Sequence, residues 1–154
     1  LPGRGASVCW KRSCLEGLRQ KGPLNRSFKA DVALPEGDWP LSAALEQLTR
    51  RQRELAGLAT RAGELKAGNS LVDRTLKKGW PLYLGLSADA GKTVASDWQK
   101  RAKGYELALY RSLLTAEELG AALGRSGPRS VFAVGPGPLG KVLQSELKRG
   151  AALL

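Results

Sequence analysis

Residues 61–79 read RAGELKAGNSLVDRTLKKG. A helical pattern ends at Gly63 and a short connection follows. Gly68, Asn69 and Ser70 then lead into a second helix that runs to Gly79. Asn69 or Ser70 can cap that second helix, with Asp73 completing a Ser-x-x-acid capping box on Ser70. The other N–H groups of the first turn carry the positive end of the helix dipole, so the stretch predicts a place for a phosphate or a base edge. The alternative is an ordinary capped helix of an α/β domain.

The composition points to a polyanionic partner. The 154 residues include 25 Lys and Arg against 14 Asp and Glu, which gives a formal net charge of +11, and 42% of the residues are hydrophobic, enough for a core. Residues 1–33 hold seven basic and two acidic residues, so the charge is concentrated at one end. The chain has no His, the commonest general base and metal ligand, and we therefore expect no catalysis, no cofactor and no metal.

Other counts set expectations about location and covalent structure. No apolar run approaches the length of a membrane span and no segment resembles a secretory signal, which predicts a cytoplasmic protein without a membrane partner. Because the chain contains no Met, we expect residues to precede Leu1 in the full protein. Two cysteines in a chain of this length do not make a disulfide framework, although Cys9 and Cys14 are close enough in sequence to leave other possibilities open. They cannot complete a structural zinc site alone, since such a site needs four ligands.

The first 33 residues form a basic segment. Glycines around Arg4 predict a tight loop, followed by a short β-like run at residues 8–10. Ser13 can cap a helix with Glu16 as its capping-box partner, and Gly22-Pro23 would stop that helix.

Asn25, Arg26 and Lys29 surround Phe28 in the phrase LNRSFK. The ring can fill a small core or stack on a base while its neighbours hold phosphates, and its position favours the core.

The phrase LPGRGA, a Cys, a short helix ending in Lys-Gly, and LNRSFK together resemble the second half of the YlxR family, small bacterial proteins regarded as RNA-binding. The resemblance covers residues 1–33. It implies a partial small α/β basic segment whose first strands lie upstream of Leu1.

Residues 34–40, LPEGDWP, are rich in turn formers and acids and are interpreted as a linker, which leaves residues 41–154 as the main domain. Helices separated by strands predict a three-layer α-β-α sandwich with a small mixed sheet. Beyond the opening stretch, the pattern predicts four helices with apolar stripes. They run from Leu41 to Ala59, from Asp89 to Lys103 with Val94, Ala95, Trp98 and Ala102 inward, from a Thr115–Glu118 capping box to Gly124, and from Pro138 with Leu139, Val142, Leu143 and Leu147 inward. Three strands are also predicted, a half-buried one at Trp80–Ser87 and two more at Glu106–Tyr110 and Ser130–Val134.

Two glycine motifs suggest nucleotides. GPGPLG at residues 135–140 fits a dinucleotide pattern, yet no acid follows at the required distance, so a tight turn with Pro138 at the first helical position is preferred. AGKT at residues 90–93 resembles the end of a P-loop with the wrong glycine spacing. A nucleotide- or phosphate-binding protein using Gly91, Lys92 and Thr93 stays an alternative, as does a basic protein-interaction module of the translation machinery.

LGAALG at residues 119–124 follows an apolar strand and LLTAEE and precedes the strand SVFAV. With LAGLATRAGELKAG, this pattern resembles the kink-turn-binding ribosomal protein superfamily (L-seven-Ae and L-thirty-e, with the bacterial YlxQ branch) from about Leu55 to Leu147. The resemblance implies a three-layer sandwich that binds structured RNA. Some bacterial relatives carry a YlxR-like region ahead of it.

In that superfamily an RNA-contacting loop reads Gly-Thr-Asn-Glu, followed by a Lys on the same helix. The matching positions here are residues 68–71, with Arg74 at the lysine place. Ser70 and Leu71 replace the pair that reads sheared purine pairs, so we expect recognition of phosphate and shape. The second contact loop is RSGPRS, with Arg125 and Arg129.

We therefore predict a non-catalytic protein that binds structured RNA, ribosomal or another non-coding RNA, with the ribosome or the RNA-processing machinery as its setting. The predicted RNA-contacting residues are Arg4, Asn25, Arg26 and Lys29 on one surface and Lys66, Gly68, Asn69, Ser70, Arg74, Arg125 and Arg129 on the other.

Overall fold

The computed structural model describes residues 5–154, in which the chain forms seven helices and four strands. None of these helices combines the length and the apolar character needed to cross a membrane. In chain order the elements are α1 (Arg12–Gly17), α2 (Lys21–Phe28), α3 (Leu41–Arg61), β1 (Leu65–Ala67), α4 (Asn69–Lys77), β2 (Tyr83–Leu86), α5 (Lys92–Gly104), β3 (Ala108–Arg111), α6 (Ala116–Ala122), β4 (Val131–Val134) and α7 (Pro138–Leu153).

The four strands form one mixed sheet in the order β1-β4-β2-β3. Strands β2 and β3 run parallel, with Tyr83 opposite Ala108, and β4 runs antiparallel to both β1 and β2. Val134 therefore lies opposite Leu65 on one side and Tyr83 on the other. The predicted mixed sheet is confirmed.

Helices cover both faces of this sheet. On one face α3, α6 and α7 pack through residues such as Leu55, Leu119 and Leu143 against the sheet residue Phe132. On the other face α4 and α5 form a second core, to which Trp98 contributes. The predicted three-layer α-β-α sandwich is confirmed.

The strands differ from the prediction in two ways. All four residues of β2 are buried, so the predicted half-buried strand is wrong. Because helices cover both faces of the sheet, a central strand has no solvent side, and only Leu82 before it stays exposed. β1 was predicted as a connection, since three residues are too few to establish an alternating pattern.

Two predicted core residues of the helices, Val94 and Val142, are instead about two-fifths exposed, at 37% and 40%.

The N-terminal segment is helical where it was expected to be α/β. Within residues 5–33 the structure contains α1 and α2 and no strand, and residues 8–10 lie in a loop that a Cys9–Cys14 disulfide closes. The Ser13 capping box does not form, because α1 begins at Arg12, which places Ser13 inside the helix, and Glu16 accepts a hydrogen bond from Arg12 at 2.8 Å.

The residues expected to stop the first helix begin the second one. Gly22 and Pro23 lie in the first turn of α2, where proline is tolerated because its missing N–H has no helical acceptor. Phe28 was predicted to be core and is 46% exposed. Leu15 supplies the core contact instead, packing with Leu41 and Leu153 and so joining the segment to α3 and α7.

Candidate nucleic-acid interface

The first turn of α4 is open. Gly68 precedes the helix with φ of +102° and donates its N–H to the carbonyl of Val131 at 2.9 Å. The first helical bond runs from Val72 N–H to the carbonyl of Gly68, so the N–H groups of residues 69–71 lie ahead of it. Within the described chain no side chain caps α4, and the predicted caps by Asn69 and Ser70 are wrong.

The capping box fails because α4 begins at Asn69, which places Ser70 inside the first turn, and because Asp73 has another partner. Its carboxylate pairs with Arg101 of α5, whose guanidinium lies 4.8 Å from the ring centroid of Trp98. The acid is therefore turned toward α5 and away from Ser70. The positive end of the helix dipole at the first turn of α4 therefore has no capping-box carboxylate beside it.

An open groove of about 450 Å³ lies between the start of α4 and the loop before β4; we call it the α4 groove. Among the described residues that line this groove, Arg129 has the only charged side chain. The groove therefore presents backbone N–H groups and one guanidinium. Its lining residues are Ala67, Gly68, Asn69, Ser70, Leu71, Pro128, Arg129 and Ser130.

Arg129 is held in the groove by backbone contacts. Its N–H donates to the carbonyl of Ala116 at 2.8 Å, and its Nη1 donates to the carbonyl of Pro128 at 2.9 Å. Its Cδ and Nε lie 3.6 Å from the position that a Cβ on Gly68 would take. The structure thus brings the two predicted contact loops together, because β1 and β4 are neighbours in the sheet.

The other predicted residues of the sandwich lie around this groove. Arg74 is exposed on α4, one turn after Ser70, where i and i+4 side chains are neighbours. Lys66 lies on β1 just before the groove, with its Nζ 5.5 Å from the ring centroid of Trp80. Arg125 is exposed and lines an adjacent cavity with Asp89 and Glu117, which meets the α4 groove at Pro128.

The predicted N-terminal residues do not line the α4 groove, and Arg4 lies outside the described residues. Asn25 closes the loop after α2: its Nδ2 donates to Asp31 at 3.1 Å and its Oδ1 accepts from the N–H of Val32 at 2.9 Å. Arg26 and Lys29 are exposed, and Lys29 ends α2 in the left-handed conformation.

Helix α6 is fixed at its start, which positions the loop that carries Arg129. Thr115 and Glu118 form the predicted capping box, and the Asp89 carboxylate accepts from the N–H of Ala116 at 2.8 Å. The hydrogen bond from the N–H of Thr115 lowers the pKa of Glu118, and the bond from Ala116 lowers the pKa of Asp89. Both carboxylates therefore stay ionised to lower pH than usual.

The start of α7 is already occupied by the chain itself. Pro138 opens the helix, as predicted, and the carboxylate of Glu64 accepts from the N–H of Gly140 at 2.8 Å. The space beside Gly137 is filled by the same carboxylate. Sequence reasoning missed Glu64, and a phosphate cannot use this helix end while Glu64 remains there.

The AGKT turn is a separate feature. Gly91 precedes α5, and Lys92 and Thr93 are exposed. The carbonyl groups of residues 87, 88 and 90 accept hydrogen bonds from Nη1 of Arg111 at 3.4, 2.8 and 3.3 Å. This turn presents acceptors to a cation, whereas a P-loop presents N–H donors to phosphates.

Replacing Glu64 tests its role as a cap. We expect Glu64→Ala to lower the free energy of unfolding by about 2 kcal/mol, because it removes a hydrogen bond to a charged acceptor and a favourable dipole interaction. Urea unfolding measures the change. Glu46→Ala is the control, since Glu46 is exposed and pairs only loosely with Arg50 at 3.7 Å. Equal losses in the two variants would show that Glu64 is not the cap that holds α7.

Among known proteins, no family model and no curated protein matches the chain. The solved structures that share its fold include the following two proteins. A Bacillus halodurans protein of unknown function is 24% identical with a TM-score of 0.56, over 64% of this chain and 97% of that one. The Giardia lamblia 15.5-kDa RNA-binding protein is 19% identical with a TM-score of 0.51, over 79% of this chain and 97% of that one. At these identities the likeness establishes the α-β-α fold.

Proposed function

We propose that this chain is a non-catalytic RNA-binding protein that holds the backbone of a structured RNA in the α4 groove. The observation that carries the proposal is the uncapped first turn of α4, which opens beside Arg129. N–H groups at a helix N-terminus and a guanidinium are the donors that phosphate oxygens accept most readily in proteins. The helix end at α7, which Glu64 fills, has no such opening.

The groove fits a backbone better than a base edge. Leu71 lines it with an apolar, half-buried side chain, and Ser70 has a single hydroxyl. Neither can make the two-point hydrogen bonds by which amide, carboxylate and guanidinium side chains distinguish bases, which leaves Asn69 and Arg129 as the described lining residues able to do so. Contacts to phosphates position a protein on RNA without reading its sequence, so we infer recognition of RNA shape.

Charge and resemblance support RNA as the partner class. The net charge of +11 favours a polyanion. The Giardia protein of similar fold is an RNA-binding protein. LGAALG and the loop at residues 68–71 resemble the kink-turn-binding ribosomal superfamily and its YlxQ branch, and the first 33 residues resemble YlxR. We infer a cytoplasmic partner of the ribosomal or RNA-processing kind.

A salt titration tests the proposal. The probe is a fluorescein-labelled RNA hairpin with an internal loop, and binding is followed by anisotropy at several salt concentrations. We expect Arg129→Gln to weaken binding about tenfold and to lower the magnitude of the salt slope by about one unit, since one phosphate contact is lost.

Lys103→Gln is the matched control, because Lys103 is exposed at the end of α5 and carries the same charge. It should change the affinity and the slope far less than Arg129→Gln. Equal effects of both substitutions would show that only the net charge matters. A wild-type affinity for the hairpin no higher than that of an unrelated basic protein would refute RNA binding.

A further inference from the structure

A second cavity, of about 420 Å³, lies where the N-terminal segment meets α3 and α7. It shares no lining residue with the α4 groove. We call it the Trp10 groove, and the side chains that matter for its chemistry are Trp10, Gln47, Arg50, Arg51, Glu54 and Arg149.

Trp10 and Arg149 form an ordered pair at one side of this cavity. The guanidinium carbon of Arg149 lies 5.6 Å from the ring centroid of Trp10, and its Nη1 lies 2.9 Å from the carboxylate of Glu146. Trp10 packs against the apolar cluster that contains Leu15 and Leu153. The side chain of Arg149 is still 44% exposed, so part of its planar group is accessible.

Two arginines of α3, Arg50 and Arg51, add positive charge to the lining of the cavity. Arg51 is exposed and makes no ion pair within residues 5–154. Arg50 pairs with Glu46 only at 3.7 Å, with both side chains largely exposed, and such pairs contribute little to stability. Both guanidinium groups are therefore free to meet an anionic partner.

Glu54 also lines the cavity, and a purely anionic ligand would not favour a carboxylate there. A nucleotide presents both kinds of group. Its phosphate is negative, its base is flat, and cytosine, adenine and guanine carry an exocyclic amino group that can donate to a carboxylate. Bases stack on guanidinium planes as well as on aromatic rings.

We propose that the Trp10 groove binds an unpaired nucleotide of the same RNA, an inference that rests on the proposed function. The base stacks on Arg149 and so extends the pair that Arg149 makes with Trp10. Its phosphate pairs with Arg50 and Arg51, and its amino group donates to Glu54. An acidic peptide has charge but no flat group for the Arg149 plane, which is why a nucleotide fits this set of side chains better.

The test uses fluorescein-labelled oligocytidylate and oligouridylate, too short to fold, with the full chain. Wild type should bind oligocytidylate more tightly, because uracil lacks the amino group that Glu54 accepts. Arg149→Lys keeps the charge and removes the plane, and we expect it to weaken oligocytidylate binding about tenfold. Arg53→Lys is the matched control, because it makes the same substitution at another exposed arginine that pairs with a glutamate. Arg53 lies on α3 outside the cavity and pairs with Glu118. Glu54→Gln should reduce the preference for cytosine over uracil.

The proposal is overturned if Arg149→Lys binds like wild type, if the two oligonucleotides bind equally, or if polyglutamate competes as well as oligocytidylate. The two sites fail separately. Arg129→Gln should leave the preference for oligocytidylate over oligouridylate unchanged, since Arg129 lies in the α4 groove and contacts phosphates, which both oligonucleotides carry. If Arg129→Gln leaves hairpin binding unchanged while Arg149→Lys still weakens oligocytidylate binding, the α4 groove is overturned. If Arg149→Lys has no effect while Arg129→Gln still weakens hairpin binding, the Trp10 groove is overturned.

Discussion

Gly120→Ala should lower the free energy of unfolding by about 2 kcal/mol, although alanine is the better helix former. Gly120 lies inside α6, and a Cβ there would overlap the carbonyl oxygen of Gly127 and approach Pro128. In an open helix the same substitution would stabilise the protein by about 1 kcal/mol. The steric cost exceeds that gain because backbone, not a flexible side chain, occupies the space.

The substitution should also weaken hairpin RNA binding. The overlap pushes on the loop that leads to Arg129, and Arg129 is held through its own N–H to Ala116 at the start of α6. Moving that loop takes the guanidinium away from Gly68. We expect a loss of affinity of at least the tenfold size expected for Arg129→Gln, measured with the same hairpin.

Gly104→Ala is the control for this prediction. Gly104 is the last residue of α5, and a Cβ there meets no atom within 4 Å. The free energy of unfolding of the Gly104→Ala variant should stay the same or rise by up to about 1 kcal/mol. If Gly120→Ala is as stable as Gly104→Ala, the close approach of α6 to Gly127 does not hold the loop. If it is unstable yet binds the hairpin normally, the loop does not carry the RNA contact.

Features set by neighbouring residues could be predicted from the sequence. The Thr115–Glu118 capping box and the start of α7 at Pro138 each depend on a few consecutive positions, and both were predicted correctly. The layered fold followed from the alternation of helices and strands. These features need only local patterns, which a sequence displays directly.

Features set by distant partners could not be predicted. Ser70 and Asp73 have the spacing of a capping box, but Arg101 on another helix takes the acid. Glu64 caps a helix 76 positions later in the chain, and no local pattern points to that pairing. Phe28 was placed in the core by its surroundings in sequence, whereas Leu15 makes the contact with α3.

The candidate site was only half accessible to sequence reasoning. The stretch around Gly68 was recognisable as a helix start with free N–H groups, and Arg129 entered through a family resemblance. Their closeness depends on the antiparallel pairing of β1 with β4, which places Gly68 beside Val131. A three-residue strand gives too little pattern to predict that pairing.

The Trp10 groove was not predicted at all, since its residues come from α3, α7 and the loop before α1, which are distant in sequence.

Gly68→Ala should change the backbone conformation that forms the α4 groove. With φ of +102° and ψ of 146°, Gly68 occupies a region that residues with a Cβ rarely enter, so the substitution should lower the free energy of unfolding by about 2 kcal/mol. Space is not the obstacle, since the nearest atoms to an added Cβ are those of Arg129 at an ordinary 3.6 Å. The chain can relieve the strain only by turning the peptide that precedes α4.

That rotation would redirect the first-turn N–H groups, and we expect hairpin RNA affinity to fall by more than tenfold while the salt slope changes by about one unit or less, because no charge is removed. Gly79→Asn is the control at the other end of α4. Gly79 has φ of +64° with open space around it, a left-handed position that asparagine tolerates. Its affinity for the hairpin should match wild type. If Gly68→Ala is destabilised but binds the hairpin as tightly as Gly79→Asn does, the N–H groups at the start of α4 do not hold the phosphates, and Arg129 and Arg74 would have to do so alone.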